Sequence, residues 1–221
     1  PGQVKIADLD GNGFIDPGNF AVDDHGDLRI IGNQSPRYRY GVNLSARWNG
    51  IGLSVFLQGV GARDWYPGSD AGMFWGKYGR PFFALIPSIH NYTDDMYSAE
   101  RNNWDTAYWP RMTTYQSNGT KNWTRLLEIP NTRYIQSAAY LRVKNIQLDY
   151  SFPKHICSAI RLQGLKIYVN AENLFTFTPL HKYAPNFDPE GLSYDSDFAS
   201  AADGYTYPIL KSVTVGVNIT F

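Results

Sequence analysis

The last ten residues, Ser212 to Phe221, constrain the fold more than any other stretch. Val213, Val215, Val217, Ile219 and Phe221 alternate with Ser212, Thr214, Gly216, Asn218 and Thr220. Successive side chains of an extended chain point to opposite faces, so the pattern specifies a β-strand with one apolar and one polar side. The stretch ends on an aromatic residue, where a soluble domain usually lets its tail fray. About ten residues is also what a tilted strand needs to cross a bilayer. Two folds accommodate it: the closing strand of a soluble sandwich, or a lipid-facing strand of a transmembrane barrel.

Composition narrows the classes. The 221 residues are 43% hydrophobic and 15% aromatic, with zero formal net charge. That suffices for a folded unit and gives no electrostatic case for a nucleic-acid partner. No run of eighteen apolar residues occurs, which argues against a transmembrane helix. A barrel stays open, because alternating strands keep mean hydropathy low, here −0.37. The chain starts at Pro1-Gly2 without an initiator Met or a signal peptide, which reads as a mature chain or a piece of a longer one. The single Cys157 forms no internal disulfide and says little about compartment.

Residues 37–58 are the best-determined piece. Tyr38, Tyr40, Val42, Leu44, Ala46 and Trp48 share one parity; Ile51, Leu53, Val55 and Leu57 share another across Asn49-Gly50. Asn-Gly is the strongest two-residue hairpin signal. It pairs Trp48 with Ile51, Ala46 with Leu53, Leu44 with Val55 and Val42 with Leu57, apolar against apolar throughout. Residues 139–174 hold two more strands around a turn from Pro153 to Gly164. In the first, Ile146, Leu148, Tyr150 and Phe152 share a face that upstream would carry Arg142 and Lys144. Either a β-bulge near Val143–Asn145 restores the alternation, or the two cations lie on the apolar face near its end. In the second, Leu165, Ile167, Val169 and Ala171 alternate with Lys166, Tyr168, Asn170 and Glu172. The terminal strand occupies 209–221.

Between these strands run long connections: 1–36, 59–138 and 175–208. Barrels of the outer membrane place short turns on the periplasmic side and long loops outside. That orientation predicts an inner aromatic girdle of Trp48, Tyr150, Phe152 and Phe221, and an outer one of Tyr38 and Tyr40. It also predicts that Leu44, Val55 and Val217 face lipid, while Asn43, Ser54 and Asn218 face the lumen. A connection as long as 59–138 points to function. It carries Trp65, Trp75, Trp104 and Trp109 beside Asp64, Asp70, Asn103 and Asp105, the flat faces and polar groups that suit a sugar. Aromatics in long loops more often pack the loop against itself, so these four are candidates for ligand contact.

In the first connection, Asp8, Asp10, Asn12 and Asp16 occupy positions 1, 3, 5 and 9 of a calcium loop. The Phe14 carbonyl falls at position 7, Gly13 at the sharp turn and Asn19 at position 12. Asn19 cannot give the bidentate carboxylate that calcium prefers, so Asp23 or Asp24 would have to substitute. The competing reading is a turn that binds nothing.

Several of these stretches match a known family in the right order. They are Val4-Lys5-Ile6-Ala7-Asp8-Leu9-Asp10-Gly11-Asn12-Gly13, Arg29-Ile30-Ile31-Gly32-Asn33 and Tyr40-Gly41-Val42-Asn43-Leu44. They continue with Tyr140-Leu141-Arg142-Val143-Lys144-Asn145-Ile146, Asn173-Leu174-Phe175-Thr176 and Val215-Gly216-Val217-Asn218-Ile219-Thr220-Phe221. The chain resembles the C-terminal portion of SusC/RagA-type TonB-dependent outer-membrane transporters. The resemblance implies an all-β antiparallel transmembrane barrel with long extracellular loops, this chain giving the last five strands of 22. It further implies uptake of oligosaccharides, sometimes peptides, a SusD-like surface lipoprotein as lid, and energy delivered by TonB to a plug.

Two rival readings compete with this one. An enzyme has no support: there is no Gly-x-Ser-x-Gly, His-Glu-x-x-His or Walker loop, and His25, His90, His155 and His181 lack ligand spacing. A soluble calcium-dependent carbohydrate-binding module would use the Asp loop and the aromatics, but leaves the apolar faces of five strands unexplained.

Overall fold

A computed structural model describes residues 4–67, 95, 97–109, 130–185, 187–192, 207 and 209–221. The chain divides into two compact units. One comprises Pro1–Gln34, Asp64–Gln136 and Leu180–Thr206; the other comprises Ser35–Arg63, Ser137–Pro179 and Tyr207–Phe221.

The second unit is a five-stranded antiparallel sheet. Its strands are β1 (Arg37–Trp48), β2 (Ile51–Ala62), β5 (Tyr140–Ser151), β6 (Gly164–Phe177) and β7 (Ser212–Thr220), in that spatial order. Two-residue strands β3 (Asp64–Trp65) and β4 (Gln136–Ser137) pair separately. Asn49 and Gly50 both adopt positive φ, 48° and 85°, which is what a two-residue primed turn requires. The turn sets the expected register, from Trp48 opposite Ile51 to Val42 opposite Leu57.

That register propagates across all five strands. Ala46, Leu53, Leu148, Val169 and Val215 form one cross-strand row, and Trp48, Ile51, Tyr150, Ile167 and Val217 the next. Leu44, Val55, Ile146, Ala171 and Val213 make a third. Rows of opposite parity read Ser45, Ser54, Gln147, Asn170, Thr214 and Asn43, Phe56, Asn145, Glu172, Ser212. One face is therefore apolar through every strand and the other almost wholly polar. The apolar face is exposed at Leu44, Leu53, Leu148, Ile167, Val169, Val213, Val215, Val217 and Ile219.

The parity conflict in β5 is resolved by a bulge. The register shifts between Val143 and Asn145, so Val143 pairs with Leu57 and Phe175, and Leu141 with Gly59 and Phe177. Arg142 pairs with Gln58 and Thr176, is buried, and donates through Nε to Thr176 Oγ1 at 2.9 Å. It does not sit on the apolar face, which corrects the alternative of two cations there.

On the polar face Asp149 is buried between Arg47 and Lys166, each 3.2 Å from its Oδ1. Gly52 stands opposite, where a Cβ would lie 2.6 Å from Asp149 Oδ2. The glycine is what lets the carboxylate lie flat across the neighbouring strand.

Element boundaries differ from expectation in several places, and β7 begins at Ser212 rather than at 209. β2 runs on to Ala62 and β6 to Phe177, beyond the predicted 58 and 174. The stretch read as a turn after Pro153 contains a helix, α1 (Lys154–Ala159), with Cys157 buried beneath it. At six residues it is too short to show a helical period in the sequence.

Candidate functional site

The first unit carries both groups of candidate residues. In the acidic segment, Asp8 Oδ1 accepts the Gly11 N–H at 2.6 Å and Oδ2 the Gly13 N–H at 2.9 Å. These bonds, Gly13's foremost, hold the exposed Asp8 carboxyl below its usual range. Gly11 and Gly13 turn the chain at φ 77° and 82°, so their N–H groups point inward. Asp8, Asp10 and Asp27 bring carboxylate oxygens within 4.8 Å of one another. Asp27 is buried and accepts the N–H groups of Leu9 at 2.5 Å and Asp16 at 2.9 Å.

The predicted calcium ligands are only partly assembled in this way. Asn12 donates to Asp10 Oδ2 at 2.9 Å and accepts the Phe14 N–H at 2.7 Å. Asp16 accepts the Gly18 N–H at 2.8 Å, and the Asn19 amide donates to Asp24 rather than toward Asp8. Asp27 was missed because it lies nineteen residues beyond Asp8, outside any twelve-residue loop template. Its residue type was the one available signal.

The aromatic candidates separate sharply. Trp65 is 2% exposed and packs on Phe187 with ring centroids 5.2 Å apart. Trp109 is 1% exposed, edge-on to Tyr108 at 5.0 Å and near-parallel to Tyr134 at 6.5 Å. Trp104 is 67% exposed, in a turn beside exposed Asn102 and Asp105. Trp75 lies outside the described residues, as does Asp70.

Trp65 and Trp109 thus anchor aromatic packing shared by the connections 59–138 and 175–208. Tyr108 stacks on Tyr183 at 3.7 Å and 5°, the Tyr134 hydroxyl donates to the Tyr108 carbonyl at 3.0 Å, and Gln136 donates to the Tyr108 hydroxyl at 2.8 Å. Arg133 lies over Tyr108 and Tyr134 at 6.0 and 5.8 Å and donates to the carbonyls of Ala107 and Tyr108. Asn131 donates to the Tyr66 hydroxyl at 2.9 Å. Burial pushes the phenols of Tyr66, Tyr108 and Tyr134 above their ordinary range. Of the histidines, His25 and His181 meet the carbonyls of Gly26 and Phe187 at 2.9 and 3.2 Å, and His155 is exposed on α1.

Among the described residues the first unit therefore has one exposed indole beside polar groups, a packed aromatic core, and a separate cluster of three carboxylates. No family model matches the chain. TonB-dependent receptor P3 of Formosa agariphila is 27% identical over 227 residues, covering all of this chain and 19% of the receptor. Its curated relatives are TonB-dependent receptors. TonB-dependent receptor P26 of the same organism is 22% identical, again over the whole chain and 20% of the receptor. The chain thus spans about a fifth of the length of the receptors it matches. Among solved structures, the RagAB peptide importer in its closed-closed state matches with a TM-score of 0.58 and 20% identity. That match covers 94% of this chain and 21% of the other. The RagAB peptide transporter matches with a TM-score of 0.56 over 89% of this chain. These structural matches share the sheet fold described above.

Proposed function

We propose that this chain supplies the closing strands and external loops of a TonB-dependent importer in the outer membrane. The observation that carries the reading is the unbroken apolar face across five paired strands, left exposed at almost every row. In a barrel that face meets lipid, the opposite face lines the lumen, and further strands of the receptor pair with β1 and β7. TonB would act on a part of the receptor outside this chain, and a SusD-like lipoprotein would close over the long loops. No catalytic step is involved.

The proposed cargo is an oligosaccharide. Trp104 supports this: an exposed indole offers a flat apolar face, and Asn102 and Asp105 beside it offer an amide and a carboxylate for hydroxyls. A peptide cargo is the second reading, favoured by the similarity to RagAB, a peptide importer. Uptake of labelled oligosaccharides and peptides by cells with and without the full-length receptor tests both. Receptor-dependent uptake of peptides alone would overturn the sugar reading.

We also propose calcium for the acidic segment, with Asp8, Asp10 and Asp27 as its carboxylate ligands. The convergence of residues nineteen positions apart supports it. Oxygen donors of this kind suit a hard cation.

A further inference from the structure

We infer that α1 is an anchor for an anionic phospholipid surface at the short-turn end of the sheet. The inference rests on the barrel reading above and extends it to a segment outside the strands. Helix α1 follows directly on β5, whose last apolar-face ring, Tyr150, packs edge-on against Phe152 at 5.0 Å. Trp48 lies in the same cross-strand row as Tyr150 and is exposed. Aromatic rings gather where hydrocarbon gives way to headgroups, so the residues just beyond them lie at headgroup level.

The helix has the faces such a position requires. Cys157 is buried against the protein, its thiol near the Phe152 carbonyl at 3.7 Å. Ile156 and Ile160 stand one turn apart and remain 40% and 54% exposed, an unusual place for two β-branched apolar side chains in water. Lys154 and His155 occupy the other side, and Arg161 follows the C-cap; all three are exposed. The helix contains no acidic residue. Neither Lys154 nor Arg161 has an ion-pair partner among the described residues. Two exposed isoleucines flanked by two uncompensated cations match the acyl–headgroup boundary: apolar side chains reach the first methylenes and the cations meet phosphates. An acidic protein partner would satisfy the charges but not the continuity with the aromatic belt.

The test uses the full-length receptor in its native membrane, with benzoylphenylalanine in place of Ile160 and, separately, of Val215 on the mid-sheet apolar face. Irradiation should give phospholipid adducts at both positions. In vesicles, the yield at 160 should be several-fold higher with phosphatidylglycerol than with phosphatidylcholine alone. The Lys154→Glu/Arg161→Glu pair should remove that preference while leaving the yield at 215 unchanged. Lipid adducts at 215 but none at 160, a protein adduct at 160, or a yield indifferent to both headgroup and charge reversal would each overturn the anchor and leave the barrel standing. Absence of lipid adducts at 215 would overturn the barrel reading itself.

Discussion

A cation placed on the apolar face should be far more costly than the same cation one residue away. Val215 is the fourth of nine residues in β7, within about one residue of its midpoint, and its row neighbour is Val169. Nine residues at about 3.3 Å each give roughly 30 Å of strand, or about 21 Å of depth at a tilt near 45°, so in the proposed barrel Val215 would lie near the bilayer centre. Val215→Arg should then cost about 2–4 kcal/mol, the range for arginine at the midplane of a barrel's lipid face. Thr214 points the other way and faces Asn170. Thr214→Arg should stay within about 0.5 kcal/mol, as surface changes away from special contacts do. The difference amounts to between about one and three powers of ten in the folded-to-unfolded ratio. Urea titration of the full-length receptor in phosphatidylcholine vesicles reads it as a shift in midpoint at constant slope, and outer-membrane abundance in cells gives a second measure. Equal shifts for the two variants, or none for Val215→Arg, would show that the two faces do not meet different solvents.

Four further outcomes follow from particular contacts. Gly216→Ala should destabilise by about 1–3 kcal/mol, since the new Cβ would run into the Tyr168 ring, whereas Gly164→Ala meets only Thr220 at 3.6 Å and should be mild; the same titration compares them. Trp104→Ala in the full-length receptor should lower uptake without lowering surface level, and unchanged transport would remove the indole from the ligand path. In the unfolded chain the phenols of Tyr66, Tyr108 and Tyr134 ionise near pH 10, while burial keeps the folded forms protonated to higher pH, so stability should fall as pH rises above about 10; phenolate absorbance that rises near pH 10 without loss of structure would contradict this. Calorimetric titration should give calcium affinity of about 10⁻⁴–10⁻³ M that Asp27→Asn weakens, and identical binding curves would place calcium elsewhere.

Where side chains alternate over a full strand, the fold was legible in the sequence. Asn49-Gly50 set the first hairpin because this pair readily adopts the two positive φ values of a type I′ turn, and every other row inherits that register. The conflict at Arg142 and Lys144 was itself informative, because a bulge is the physical means by which a strand changes parity. Strand ends were less visible. Gly59 and Gly61 carry no side chain to assign to a face, so the alternation in β2 stops at Gln58 on paper. In the folded sheet the rings of Tyr40 and Tyr38 lie over those glycines, and the strand continues to Ala62. The bare backbone is covered by aromatic groups from the neighbouring strand, an interaction that only register reveals.

The connections obey a different rule, and it explains which candidates moved. A long segment must find hydrogen-bond partners for its own backbone polar groups and bury enough apolar area to offset the entropy of ordering. The largest flat side chains serve that need first, which is why Trp65 and Trp109 lie inside while Trp104, in a turn held by the Asn103 side chain on the Ser98 N–H, stays outside. Composition cannot rank the tryptophans of one connection, because each offers the same area. The acidic segment follows the same logic at long range. Asp27 accepts N–H groups from Leu9 and Asp16, eighteen and eleven residues away, and so fastens both ends of the turn that carries Asp8 and Asp10. A local template finds carboxylates whose spacing is set by one loop. It does not find the carboxylate that closes the loop, because that distance is set by how the chain returns.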